Sequence, residues 1–81
     1  MLFVFERDRP VRFWMKGTRI PLSIAFLNAN GTIVRLADMD PADPEFRYPS
    51  GVPVRYALET NRGWFAAQAI RPGDSAKFSL P

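Results

Sequence analysis

The chain has 81 residues with no cysteine and no histidine, which excludes disulfides, thiolate or imidazole metal centres and histidine-assisted nucleophilic catalysis. Eleven Lys plus Arg against eight Asp plus Glu leave a net charge of +3. That mild excess, without a clustered basic run, disfavours nucleic acid as a partner.

The length fits a single domain over residues 1–81, with a core built from side chains alone. The opening Met1-Leu2-Phe3-Val4-Phe5 has no basic start and no small-residue cleavage site. It is also shorter than the ~7–15-residue apolar region of a secretory leader, so it reads as a buried strand. No stretch approaches the ~20 apolar residues of a membrane span.

From Val11 to Lys16 the side chains alternate, with Val11, Phe13 and Met15 on one face and Arg12, Trp14 and Lys16 on the other. Gly17 and Thr18 interrupt this strand, and Pro21 precedes the next. Leu22, Ile24 and Phe26 then share a face opposite Ser23, Ala25 and Leu27. Asn28-Ala29-Asn30-Gly31 is a turn signal, since Asn and Gly tolerate positive φ. With the β-branched run from Thr32 to Ala37, residues 22–37 form a predicted hairpin.

The segment from Asp38 to Pro53 contains Pro41, Pro44, Pro49 and Pro53 and reads as a long loop. Val54, Tyr56 and Leu58 alternate with Arg55, Ala57 and Glu59 in a further strand. Asn61 is the expected N-cap of a short helix over about residues 61–69 that docks through Trp64 and Phe65. Gly73-Asp74 turns the chain into a last strand, Ser75 to Leu80, with Ala76, Phe78 and Leu80 inward. The elements predict a mostly β fold: a compact antiparallel β-sandwich or partly closed barrel with one short helix.

Few residues suggest chemistry. Asp38, Asp40, Asp43 and Glu45 are spaced carboxylates, but prolines fall between them and the central Gly of a helix-flanked calcium loop is missing. A proline-stiffened loop is the simpler reading, and no metal or other cofactor is expected. A Ser–Lys pair would have to combine Ser23, Ser50, Ser75 or Ser79 with Lys16 or Lys77, and no local motif supports one.

The outward face carrying Arg12, Trp14 and Lys16 is more informative, because a cation–aromatic–cation strand resembles platforms that hold bases or sugars. Arg55 and Glu59 occupy the corresponding face of a later strand. Two readings stand: either Trp14, Lys16, Thr18, Arg55 and Glu59 line one ligand surface, or Trp14 is core and the cations snorkel past it.

The run Phe13-Trp14-Met15-Lys16-Gly17-Thr18-Arg19-Ile20-Pro21-Leu22 adds a further signal. Taken with the Met1–Phe5 opening, Ile24-Ala25-Phe26, Tyr56-Ala57-Leu58-Glu59, Gly63-Trp64-Phe65 and Ile70-Arg71-Pro72-Gly73-Asp74, it resembles the bacterial and archaeal family known as domain of unknown function 192. The resemblance covers nearly the whole chain and implies a compact β-rich domain with no established activity. Many members of that family carry an export signal, so the compartment of this chain stays unassigned.

Two positions depart from the family's usual pattern: Gly17 stands where Asn is common, and Ser23 where Asp is common. The resemblance also implies a further segment before the Met1–Phe5 stretch. Without it, an open sheet edge and self-association are expected.

The function these features predict is a small non-catalytic binding or interaction module for an anionic or sugar-like ligand, or for a protein partner. The asparate-rich segment Asp38–Pro53 would then act as a lid. The alternative is a hydrolase-like enzyme or enzyme accessory using Glu59, Lys16 and Thr18.

Overall fold

In the computed structural model, which describes residues 1–76, the strands are β1 (Leu2–Arg9), β2 (Arg12–Phe13), β3 (Leu22–Leu27), β4 (Ile33–Met39), β5 (Tyr48–Pro49) and β6 (Val54–Asn61). A single helical turn, α1 (Trp64–Ala67), follows β6. Four strands form an antiparallel sheet in the order β1-β6-β3-β4, and β2 and β5 form a separate ribbon. Among the described residues the sheet is open and does not close into a barrel.

The order follows from composition. The β3 segment, Leu-Ser-Ile-Ala-Phe-Leu, has no charge, and all but its first residue are buried. It therefore belongs in the sheet interior, between β4 and β6. Charges fall on the other strands: Glu6 to Arg9 on edge β1, Arg35 and Asp38 on edge β4, and Arg55 and Glu59 on β6. The opening strand is correspondingly half-exposed rather than buried, with Val4 51% exposed.

Two apolar clusters hold the fold, one on each face of the sheet. On the first face Ile24, Phe26 and Ala57 meet Val11, Phe13, Met15 and Tyr48 from the ribbon side. Phe13 sits between Phe3 and Phe26, with ring centroids 4.9 and 6.0 Å away. On the second face Ala25, Leu27 and Ile33 pack against Phe65, with Ile70 alongside.

The predicted hairpin forms as β3 and β4, and Asn28 builds its turn. Its Oδ1 accepts the backbone N–H groups of Asn30 and Thr32, both at 3.0 Å. Gly31 is required there, because its φ is +80° and a Cβ would come within 2.6 Å of the Ala76 carbonyl oxygen.

Three predicted boundaries shift. The expected strand from Val11 to Lys16 contracts to β2, because Thr18 N–H bonds to the Met15 carbonyl and turns the chain early. The expected helix over 61–69 contracts to α1: Asn61 is still paired with Leu22 in the sheet, and Gly63 takes the N-cap position. Of the last predicted strand, Ser75 forms a bridge to Thr32, and Phe78 and Leu80 lie outside the described residues. Among the described residues no helix is long and apolar enough to cross a membrane.

Candidate ligand-binding site

The ribbon presents the candidate site. With Val11 and Met15 buried and Phe13 packed on the core, alternation turns Arg12, Trp14 and Lys16 outward. Trp14 is 40% exposed, so the reading of it as a core residue does not hold.

The strand opposite comes from the supposed loop. Arg12 pairs with Pro49 and Phe13 with Tyr48, and the same register brings Arg47 across from Trp14. The Arg47 guanidinium carbon lies 3.6 Å from the Trp14 ring centroid, and Lys16 Nζ lies 5.1 Å from it. Lys16 Nζ is also 3.9 Å from Glu45 Oε1, and Arg47 Nη1 donates to the Glu45 carbonyl oxygen at 3.3 Å.

This geometry is held from both ends. At one end Val11 N–H donates to Ser50 Oγ at 3.0 Å, and Ser50 N–H returns to the Val11 carbonyl at 2.9 Å. At the other, the Tyr48 hydroxyl accepts the Asp40 N–H at 2.9 Å, while the Phe46 ring meets Tyr48 edge-on at 4.8 Å. The segment expected to act as a lid is thus partly a strand of the site itself.

The other expected site residues lie in different settings. Thr18 closes the turn after Lys16, its N–H donating to the Met15 carbonyl at 2.9 Å. Within that turn Gly17 has φ +81°, with nothing within 4 Å of a built Cβ. Asn also tolerates positive φ, so backbone conformation accounts for both residues at this position.

Arg55 Nε donates to Asp8 Oδ1 at 2.9 Å, tying β6 to β1. Glu59 lies opposite Ile24 in the sheet. Burial pushes its carboxyl above the ordinary glutamate value of 4.5, and the positive Met1 ammonium partly offsets the rise. The Met1 ammonium donates to the Glu59 carbonyl oxygen at 2.6 Å. Among the described residues no hydrogen bond or ion pair joins Glu59, Lys16 and Thr18. The structure brings Trp14 and Lys16 together, whereas Arg55 is paired with Asp8 and Glu59 lies opposite Ile24 in the sheet.

The acidic segment also disperses. Asp38 accepts a hydrogen bond from Ser23 Oγ at 2.8 Å and lies 3.9 Å from Arg62. Ser23 Oγ in turn accepts the Gly63 N–H at 3.1 Å, so Ser23 fastens the start of α1 to the hairpin. Asp40 Oδ1 accepts the Ala42 N–H at 2.9 Å, and Glu45 faces Lys16. Among the described residues no three His, Cys, Asp or Glu side chains are grouped to hold a metal ion.

Sequence reasoning missed Arg47, and weighed Glu45 only as one of the spaced carboxylates of the supposed loop, not as a neighbour of Lys16. Their signal was faint: Glu45-Phe46-Arg47-Tyr48 is a proline-free, aromatic–charge alternation between Pro44 and Pro49.

A second concavity of about 580 Å³ lies beside α1, lined chiefly by Leu2, Leu27, Leu58, Trp64, Phe65 and Ile70. It is apolar, and Asp74 is the charged residue at its border.

The family profile of uncharacterized ACR, COG1430 (DUF192) matches residues 1–78. A crystal structure of a candidate transcription regulator from Sinorhizobium meliloti 1021 is similar, with 39% identity and a TM-score of 0.88. The match covers 93% of this chain and 58% of that one. A protein of unknown function from Novosphingobium aromaticivorans DSM 12444 is 32% identical with a TM-score of 0.89, over 96% of this chain and 56% of that one. The chain thus spans a little over half the length of these two solved structures. No match was found among proteins of curated function.

Proposed function

For a chain that belongs to the uncharacterised DUF192 (COG1430) family, we propose a non-catalytic binding module whose site is the outward face of the β2–β5 ribbon and whose ligand is anionic. The observation that carries this reading is the Arg47 guanidinium held 3.6 Å over the exposed Trp14 ring, with no carboxylate within ion-pair distance among the described residues. A stacked guanidinium is pre-oriented, and its in-plane N–H groups suit a carboxylate or phosphate. Because Arg47 covers the ring centroid on one side, this arrangement favours an anion over a neutral sugar stacked on that side.

Titration calorimetry against trigalacturonate, inorganic phosphate and an uncharged trisaccharide tests the reading. The wild-type chain is expected to bind an anionic probe, with the heat falling as salt rises. Trp14→Ala is expected to remain folded and to lose that binding at least tenfold. Equal binding by Trp14→Ala, or preference for the uncharged sugar, would refute it.

A second reading rests on a separate observation. β1 is an edge strand among the described residues, with Met1 76% and Val4 51% exposed. An edge of this kind favours self-association. Sedimentation equilibrium over a hundredfold concentration range is expected to show a dimer that Val4→Lys weakens, and a monomer throughout would remove this reading.

A further inference from the structure

Glu45 has an unusual position relative to the proposed anion site. Its backbone is held by Arg47, whose Nη1 donates to the Glu45 carbonyl oxygen at 3.3 Å. Its side chain reaches the other cation of the patch, with Oε1 3.9 Å from Lys16 Nζ. Arg47 and Lys16 both lie over the same indole, so a carboxylate of the chain itself is paired with one of the two cations that would meet a ligand.

The Lys16–Glu45 pair is also poorly suited to a structural task. The two side chains are 59% and 68% exposed, and an ion pair open to water at this separation adds little to stability. It is weak enough for another carboxylate to displace. By contrast, the Arg55–Asp8 pair is closed at 2.9 Å and cross-links two strands.

We infer that Lys16 and Arg47, the latter without an ion pair among the described residues, together receive a ligand carboxylate, and that Glu45 holds Lys16 in the free protein until that carboxylate replaces it. This inference rests on the ribbon being a binding site. The ligand class is then a carboxylate-bearing molecule, either a sugar acid or an acidic peptide. Lys16 supplies a mobile point charge and Arg47 a fixed planar fork.

The test compares wild type, Glu45→Gln and Glu6→Gln, titrated with trigalacturonate, tetraglutamate and inorganic phosphate. Glu6 is exposed and forms no ion pair among the described residues, so its variant controls for the change in net charge. Glu45→Gln is expected to bind the carboxylate probes about two- to fivefold tighter than wild type, the range a displaced surface pair allows. Glu6→Gln is expected to match wild type.

Which carboxylate probe gains more from Glu45→Gln identifies the ligand as a sugar acid or an acidic peptide. Equal affinity for wild type and Glu45→Gln, or an equal gain in Glu6→Gln, overturns the role of Glu45 while leaving binding at Trp14 intact. Tighter binding of phosphate than of either carboxylate overturns the ligand class. Failure of wild type and both variants to bind any probe overturns the binding site and this inference together.

Discussion

Trp14 faces outward because its neighbours Phe13 and Met15 face inward, Met15 being only 1% exposed. Alternation separated Trp14 from Phe13 and Met15 but left open whether its own face was core or solvent, which the 40% exposure decides. Its partner was not legible: Arg47 lies far along the chain, in a four-residue alternation between Pro44 and Pro49 that is too short to announce a strand. Pairing across such a distance depends on how two short strands meet, which residue spacing does not encode. Glu59 shows the complementary case: expected beside Lys16 and Thr18, it lies instead opposite Ile24 in the sheet. Its carboxyl is raised by burial in the sheet, not by a catalytic partner. A raised folded value means that the fold holds the proton more tightly than the unfolded chain does, so stability falls as pH rises from the ordinary 4.5 through the raised value. Glu59→Gln should remove that loss. Its stability relative to wild type is expected to grow over this window and then level off, as measured by urea unfolding from pH 3.5 to 8. Parallel pH profiles for the two chains would contradict this account.

At the level of elements, the hairpin was readable because an uncharged alternating strand, an Asn–Gly turn and a β-branched strand all agree. The helix was legible in place but not in length. Nothing local shows that β6 continues to Asn61, since that pairing is made with β3. The helix end is also unusual: Ala69 takes φ 56°, while Ala69 N–H bonds to the Ala66 carbonyl at 3.0 Å and Ile70 N–H to the Phe65 carbonyl at 2.9 Å. This is the double hydrogen bond of a Schellman ending, a motif in which glycine normally takes the left-handed position. Phe65 and Ile70 pack together beneath it, so the apolar contact holds Ala69 in a conformation it disfavours. Ala69→Gly is therefore expected to stabilise the protein by about 0.5–1 kcal/mol. Thermal unfolding measures this, and a lower midpoint would show that the backbone at this turn is not strained.

For the whole molecule, the sheet separates two kinds of surface. One face is covered by the ribbon, whose outer side carries Arg12, Trp14, Lys16 and Arg47. The other is partly covered by α1 and leaves the apolar concavity beside Trp64. The β character and the two-faced core follow from the period of the apolar residues. The separation of these two surfaces does not, because it depends on which side the ribbon folds over. The five residues expected to form one site divide accordingly: Trp14 and Lys16 lie together on the ribbon, Thr18 closes the adjacent turn, Arg55 ties β6 to β1 and Glu59 lies opposite Ile24 in the sheet. The central claim is that an anion binds at the ribbon, and amide-shift mapping of the labelled chain during titration with trigalacturonate tests it most directly. Saturable shifts concentrated at residues 12–18 and 45–48, and absent in Trp14→Ala, are the predicted result. Shifts confined to the concavity at Leu58, Trp64 and Ile70, or none at all, would contradict it.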